Sequence, residues 1–121
     1  MFVDDEPDIL SVIAKGLRKA GFAVHSFDNP LRALRHIEVD GCKECKIVVS
    51  DIKMPELSGF QLVRKLKGLR PDMKVILVTA FEVNKPEFES LFPSTPIDFL
   101  MQKPFAASQL VEVLHMYCNP A

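Results

Sequence analysis

The sequence predicts an α/β domain built on a parallel sheet, and three observations indicate this class. Short strand-like apolar runs alternate with helix-like apolar stripes along the chain. The runs Ile47–Val49 and Lys74–Thr79 are almost continuously apolar, which is typical of strands buried on both faces. The 121 residues suffice for one domain and are too few for two independent cores. Strands that alternate with helices form a parallel sheet with right-handed crossovers.

The elements follow in chain order from this pattern. Ile9, Ile13 and Leu17 lie four residues apart and form the stripe of a helix that begins at Pro7 and stops before Gly21. The predicted helices are Pro7–Ala20, Leu31–Val39, a third that opens at Leu57–Gly59 and ends near Gly68, Asn84–Phe92 and Ser108–Cys118. The predicted strands are a Phe2–Val3 stub, Ala23–Phe27, Ile47–Val49, Lys74–Thr79 and Ile97–Met101.

Composition excludes several classes of protein. Lys and Arg total 15 against 16 for Asp and Glu, and a nucleic-acid binder should show a basic excess. No apolar run approaches the roughly 18 residues of a membrane span. The N-terminus is acidic from Asp4 onward, unlike a secretory signal. We therefore expect a cytoplasmic domain that binds neither nucleic acid nor membrane directly.

The cysteines do not form a disulfide framework, because there are only three of them. Cys42 and Cys45 form a C-x-x-C, which suits surface thiols, a redox pair or half of a zinc site. Zinc needs about four ligands, and the sequence places only His36 nearby. The three histidines fall on separate predicted elements: His25, His36 and His115. The sequence therefore favours surface-loop thiols and surface or half-buried histidines.

Polar residues stand at the carboxyl ends of four predicted strands, where open α/β sheets bind ligands. They are Asp4 and Asp5, Asp51, Thr79 and Lys103. Two like charges about 4 Å apart repel by about 4 kcal/mol at an effective dielectric near 20, so clustered carboxylates require a cation. Hard oxygen ligands select Mg²⁺ or Mn²⁺. A carboxylate beside such an ion can attack phosphorus, while the hydroxyl and the ammonium meet the phosphoryl charge.

Four motifs then resemble the receiver domain of two-component response regulators, the CheY-like superfamily, over essentially the whole chain. They are VDDE at Val3–Glu6, SDIKMPELSGFQL at Ser50–Leu62, VTA at Val78–Ala80 and KPF at Lys103–Phe105. The resemblance implies one receiver domain over residues 1–121. It also implies a flavodoxin-like, doubly wound sheet of five parallel strands in the order 2-1-3-4-5 with five flanking helices.

The resemblance also implies roles for single residues. Asp51 is similar to the aspartate that accepts the phosphoryl group, and Thr79 is similar to the hydroxyl residue of the switch. Lys103 is similar to the lysine that these domains carry after the last strand, and the resemblance also implies a cis bond between Lys103 and Pro104. The implied ligands of Mg²⁺ or Mn²⁺ are Asp4, Asp5 as the more direct ligand, Asp51 and the backbone carbonyl of Lys53.

The implied function is acceptance of a phosphoryl group on Asp51 from a histidine kinase in a Mg²⁺-dependent reaction. Phosphorylation would alter a surface around the fourth predicted helix and the fifth strand for a downstream effector protein or domain. The domain would promote its own phosphorylation and dephosphorylation without being a turnover enzyme. One alternative is a degenerate receiver that acts as a phosphorylation-independent interaction module. An aspartate phosphatase is disfavoured, because Lys53 stands where that chemistry needs a second Asp. The sequence leaves the kinase, the effector and a monomeric or dimeric state open.

The sequence departs from the family at its first strand, which is unusually short. Only Met1–Val3 precede the acidic pair. Either residues before Met1 are missing, which is the favoured interpretation, or the neighbouring strands close up or pair with another chain, because unpaired ladder groups are costly.

The output switch also departs from the family, which usually has an aromatic residue three positions before the lysine. Here Leu100 holds that position and Phe99 lies one residue earlier. A one-residue bulge would turn Phe99 inward as the switch aromatic, and otherwise Phe99 is a core residue. Phe81 lies two residues after Thr79, where a large apolar side chain is expected to slow attack by water on the phosphoryl group.

Overall fold

The computed structural model describes residues 1–43, 45–80 and 97–117, which form five parallel strands and four helices. The strands are β1 (Phe2–Val3), β2 (Ser26–Phe27), β3 (Ile47–Asp51), β4 (Lys74–Thr79) and β5 (Phe99–Gln102). The helices are α1 (Pro7–Lys19), α2 (Pro30–Glu38), α3 (Gly59–Leu69) and α4 (Ala107–His115). The strand order β2-β1-β3-β4-β5 confirms the predicted fold class. Five helices were predicted, and the one over Asn84–Phe92 lies outside the described residues.

Two strands differ in length from the sequence-based expectation. The strand predicted over Ala23–Phe27 forms only at Ser26–Phe27, and that over Ile97–Met101 begins at Phe99 and extends to Gln102. The length of β2 follows from its neighbour, because an edge strand can pair only where the adjacent strand offers a partner. β1 has two residues, and both of them pair with β2.

The short β1 nevertheless keeps the centre of the sheet between β2 and β3. Backbone hydrogen bonds extend beyond its two residues, since Phe2 N donates to His25 O at 2.9 Å and Asp4 N to Phe27 O at 3.1 Å. On the other side, Val49 N donates to Met1 O at 2.9 Å. The two neighbouring strands have therefore not closed up across β1.

Apolar side chains cover both faces of the sheet, as the continuous apolar strands predict. Successive strand residues point to opposite faces, so Val3 and Leu77 pack toward α2 and α3, whereas Phe2 and Ile76 pack toward α1 and α4. None of the four helices in the described ranges combines the length and the apolar character of a membrane span. The hydrophobic core of the domain lies on both faces of the sheet.

Candidate functional site

Four carboxylates meet at the carboxyl edge of the sheet, and we call this group the acidic pocket. One oxygen from each lies within 4.8 Å of one from every other: Asp4, Asp5, Glu6 and Asp51. Asp4 follows β1 and Asp51 ends β3, so the pairing of these two strands brings their carboxylates together. Asp4 and Asp51 are buried, and Asp5 is half-buried. The predicted acidic pair and the predicted nucleophile therefore share one site.

Lys103 places its ammonium inside the acidic pocket. Its Nζ lies 2.9 Å from Asp51 Oδ2, 3.1 Å from Asp4 Oδ2 and 3.3 Å from Glu6 Oε1. The side chain is only 14% exposed. Its backbone N donates to Thr79 O at 2.8 Å, which fixes the start of the chain after β5. The bond to Pro104 is cis, as predicted.

The pKa values of the pocket reflect burial and mutual attraction. Burial raises the pKa of Asp4, and the Glu6 N–H and Lys103 oppose that rise only in part. Burial alone would lower the pKa of Lys103, but hydrogen bonds to Asp51 and Asp4 outweigh it and raise the pKa above its ordinary value. Lys103 therefore remains an ammonium at neutral pH.

The donor set of the pocket fits a small, hard divalent cation. All four ligand groups are carboxylates, the ligands that Mg²⁺ and Mn²⁺ prefer. Asp5 is half-buried and Glu6 is exposed, so the pocket is open to solvent on their side. The sequence-based prediction did not include Glu6 in this pocket. Its position directly after Asp4 and Asp5 could have predicted that it lies near them. The fit supports the predicted metal ligands Asp4, Asp5 and Asp51.

Thr79 and Lys53 lie at the same edge. Thr79 is the buried last residue of β4, one position beyond the Asp51–Val78 pair of the β3–β4 ladder. Lys53 lies in the loop after β3, and its side chain is exposed. The roles of the Thr79 hydroxyl and the Lys53 carbonyl stay predictions.

Phe99 lies on the other face of the sheet from Thr79. The β4–β5 register runs without interruption from Ile76–Phe99 to Thr79–Gln102, so the described strand contains no bulge. Phe99 packs against the apolar cluster beside α1 and α4, whereas Leu100 packs on the α2–α3 side. This geometry favours the interpretation of Phe99 as a core residue.

Gly59 fixes the loop that follows Asp51. Its N–H donates to Ile52 O at 2.8 Å, and a Cβ at this position would overlap Asp51 O and lie 2.8 Å from Ile52 Cα. Ser58 caps the helix, because its Oγ accepts from Gln61 N at 3.3 Å and its N donates to Gln61 Oε1 at 2.9 Å. The predicted helix start is therefore also a packing contact against the backbone of the nucleophile.

A second polar cluster lies at the opposite, amino-terminal edge. Its two histidines are half-buried and His115 is exposed, as predicted, but Cys45 is buried and is not the surface-loop thiol that the sequence favoured. One ligand atom from each of four residues lies within 4.8 Å of the others: His25, His36, Cys42 and Cys45. The sequence placed only His36 near the cysteines. It missed His25 because the pairing of β2 with β1 brings the start of β2 beside the loop before β3.

Comparison with known proteins identifies the family. The family model described as "Response regulator receiver domain" matches residues 1–115. This chain belongs to that family. Phosphorylation and Mg²⁺ binding are general features of receiver domains in two-component systems.

The receiver domain has similar relatives among curated proteins and solved structures. It is 37% identical over 110 residues to the C4-dicarboxylate transport transcriptional regulatory protein DctD of Rhizobium meliloti, covering 91% of this chain and 23% of DctD. It is 33% identical over 110 residues to the sensor kinase CckA of Brucella abortus, covering 91% of this chain and 11% of CckA. The receiver domain thus spans a minor part of these relatives. A receiver domain structure from Clostridium thermocellum matches with a TM-score of 0.81 at 28% identity, covering 95% of this chain and 89% of that one.

Proposed function

We propose that this receiver domain accepts a phosphoryl group on Asp51 from a histidine kinase in a Mg²⁺-dependent reaction. The observation that carries the proposal is the Lys103 ammonium, which bridges Asp4 and Asp51 within a pocket of four carboxylates. A pocket with one ammonium and several carboxylates can receive a further cation and a phosphoryl group together.

The side chains of the pocket have separate tasks in this reaction. A carboxylate oxygen of Asp51 attacks phosphorus and forms an acyl phosphate, while the bond from phosphorus to the kinase imidazole breaks. Asp51 ends a buried strand, so its side chain is held in place before the reaction. Lys103 donates to Asp51 Oδ2 and is close enough to follow the negative charge onto a phosphoryl oxygen. Asp4, Asp5 and the Lys53 carbonyl would hold a divalent cation, which when bound would supply positive charge to the phosphoryl oxygens.

Thr79 is the proposed link from phosphorylation to output. A phosphoryl group on Asp51 presents oxygens that need hydrogen-bond donors, and Thr79 ends the adjacent strand. We propose that movement of Thr79 changes the output surface around β5; the fourth predicted helix, the other part of that predicted surface, lies outside the described residues. Phe81 lies outside the described residues, and its effect on the phosphoryl lifetime stays a prediction.

Relatives support the proposed partners. Their names include a sensor kinase and transcriptional regulatory proteins. We therefore propose a histidine kinase as phosphodonor, a downstream effector protein or domain as target and the cytoplasm as location. We also propose that the receiver domain promotes its own phosphorylation and dephosphorylation, not turnover of another substrate.

Acetyl phosphate and intact-protein mass spectrometry test the proposal. The chain incubated with acetyl phosphate and Mg²⁺ should gain the mass of one phosphoryl group, and EDTA should prevent this gain. Asp51→Asn should abolish it, whereas Asp72→Asn, which changes an exposed aspartate, should retain it. A gain that survives in Asp51→Asn would overturn the assignment of the nucleophile. A folded wild-type chain that gains no phosphate would instead favour the phosphorylation-independent interaction module.

A further inference from the structure

The cluster at the amino-terminal edge has the composition of a transition-metal site, and we call it the His–Cys cluster. His25 directly precedes β2, His36 lies on α2, and Cys42 and Cys45 lie in the loop before β3. Cys45 lies six positions before Asp51, and a strand rises about 3.3 Å per residue, so the two sites are separated by about 20 Å. The His–Cys cluster therefore belongs to no part of the phosphorylation chemistry.

The distances within the cluster suit a tetrahedral ion. Cys42 Sγ lies 3.2 Å from Cys45 Sγ and 3.8 Å from His25 Nε2. Zinc bound at about 2.3 Å from sulfur and about 2.0 Å from nitrogen separates its ligand atoms by about 3.3–3.8 Å. The two sulfurs would need to move apart by about half an ångström, a change that side-chain rotation can supply.

His36 provides the strongest indication of a missing ligand. Its Nδ1 lies 3.3 Å from Asp40 Oδ2, so a neutral ring that donates there leaves the lone pair on Nε2. That Nε2 is buried and has no hydrogen-bond partner among the described residues. Metal-bound histidines regularly donate their other ring nitrogen to a carboxylate in this way. Phe27, whose ring centroid lies 5.2 Å from that of His36, holds the imidazole in place.

The loop that carries the thiols is also fixed from outside the cluster. Cys42 N donates to His36 O at 3.5 Å, and Arg70 Nη2 donates to Cys42 O. Cys45 is buried, and burial raises its pKa to about 12. Zinc would displace the proton of this thiol on binding, because a cysteine that ligates a metal is a thiolate.

We propose that His25, His36, Cys42 and Cys45 bind one Zn²⁺ in a closed, four-ligand structural site. Imidazole and thiolate ligands select zinc over the hard ions that suit the acidic pocket. Four protein ligands leave no open position for a substrate, which is the arrangement of structural zinc. The ion would tie the loop before β3 to α2 and to the start of β2, next to the two-residue β1.

Zinc binding by the full chain is the direct test. The reduced, chelator-treated protein should bind one Zn²⁺ per chain, and binding should raise the unfolding temperature. His25→Gln and Cys42→Ser should weaken zinc binding by at least about 100-fold, because each removes a ligand. His115→Gln is the matched histidine control and should bind zinc normally. All three variants should still gain phosphate on Asp51, which separates this site from the proposed function.

A positioning variant and a cobalt spectrum sharpen the test. Asp40→Asn should weaken zinc binding by about 10–100-fold. Asp28→Asn is the matched control, because it removes an exposed ion pair with Arg32 at the other end of α2, and it should not weaken zinc binding. In a Cys118→Ser background the remaining thiols are Cys42 and Cys45, so Co²⁺ should give tetrahedral absorption bands and a thiolate charge-transfer band. Wild-type protein that binds no stoichiometric Zn²⁺, or zinc binding that persists in Cys42→Ser, would overturn the proposal.

Discussion

The two edges of the sheet gather polar side chains by different routes. At the carboxyl edge, Asp4, Asp51 and Lys103 each end or follow a strand, so strand pairing alone brings them together. At the amino-terminal edge, the His–Cys cluster takes ligands from a helix and from two loops that are distant in sequence. Any parallel sheet brings the residues at the carboxyl ends of its paired strands close together. The His–Cys cluster instead depends on how this particular chain packs α2 and its flanking loops.

The two edges also differ in how they balance charge. The acidic pocket contains a built-in cation, Lys103, which shares its carboxylates with any incoming ion. The His–Cys cluster contains a buried nitrogen, His36 Nε2, that finds no hydrogen-bond donor in the described part of the chain. We therefore expect Mg²⁺ to alter the stability of variants at the carboxyl edge, and we expect those variants to bind zinc as wild type does.

The largest effect is expected from Gly59→Ala. The new Cβ would overlap the backbone of Asp51 and Ile52, which cannot move as a side chain can, so we expect a loss of about 3 kcal/mol in the free energy of unfolding. Phosphorylation of Asp51 should slow markedly, because the overlap displaces the nucleophile. Chemical denaturation and the acetyl phosphate assay measure both effects.

Gly68→Ala is the matched control on the same helix. A Cβ at Gly68 meets no atom within 4 Å, so alanine should stabilise α3 by about 0.5–1 kcal/mol through its higher helix propensity. Zinc stoichiometry should be unchanged in both variants. Equal stability of the two variants would contradict the close approach of Gly59 to the nucleophile.

A smaller effect is expected from Lys103→Met. The variant leaves the carboxylates of the acidic pocket without their ammonium, so the free energy of unfolding at neutral pH should fall by about 2 kcal/mol. This loss is smaller than the loss on breaking a fully buried ion pair, because the pocket opens to solvent. Mg²⁺ should restore part of this loss, since one cation replaces another. Zn²⁺ at one equivalent should not, because it binds at the other edge. Lys65→Met, at an exposed position on α3, should change stability little.

The sequence predicted the carboxyl edge well, because its evidence is local. Apolar runs locate the strands, and the residue after each run lies at the edge, so Asp4, Asp51 and Lys103 could be grouped without coordinates. The length of β2 could not be predicted in this way, since the ladder is limited by the two residues of β1. The face of Phe99 likewise required the β4–β5 register.

The His–Cys cluster could not be predicted from the sequence, because its residues come together only through the tertiary fold. The C-x-x-C spacing was visible, but the imidazoles of His25 and His36 meet only after β2 pairs with β1 and α2 packs behind them. Their ring centroids lie 4.8 Å apart, although no regular spacing relates them in the sequence. Metal ligands contributed by different elements are thus recognised from topology and not from local patterns.

The smallest effect is expected from Asp4→Asn. Burial raises the folded-state pKa of Asp4, so the folded chain binds this proton more tightly than the unfolded chain does. Wild-type stability must therefore fall as pH rises from the ordinary carboxyl pKa of 3.8 through the folded-state value, and it stays lowered at neutral pH. Asparagine cannot ionise and avoids this loss, while its Oδ1 can still accept from Glu6 N.

In EDTA at pH 7, Asp4→Asn should therefore be more stable than wild type by about 1 kcal/mol, a rise of about 3–5 °C in unfolding temperature. The advantage should shrink as pH falls and vanish below 3.8, where the wild-type carboxyl becomes protonated in both states. Millimolar Mg²⁺ should stabilise wild type more than the variant and reverse their order, because the variant has lost a ligand. If the variant is instead less stable in EDTA at pH 7, the attraction between Asp4 and Lys103 outweighs burial, and the acidic pocket does not need a divalent ion to hold its charges.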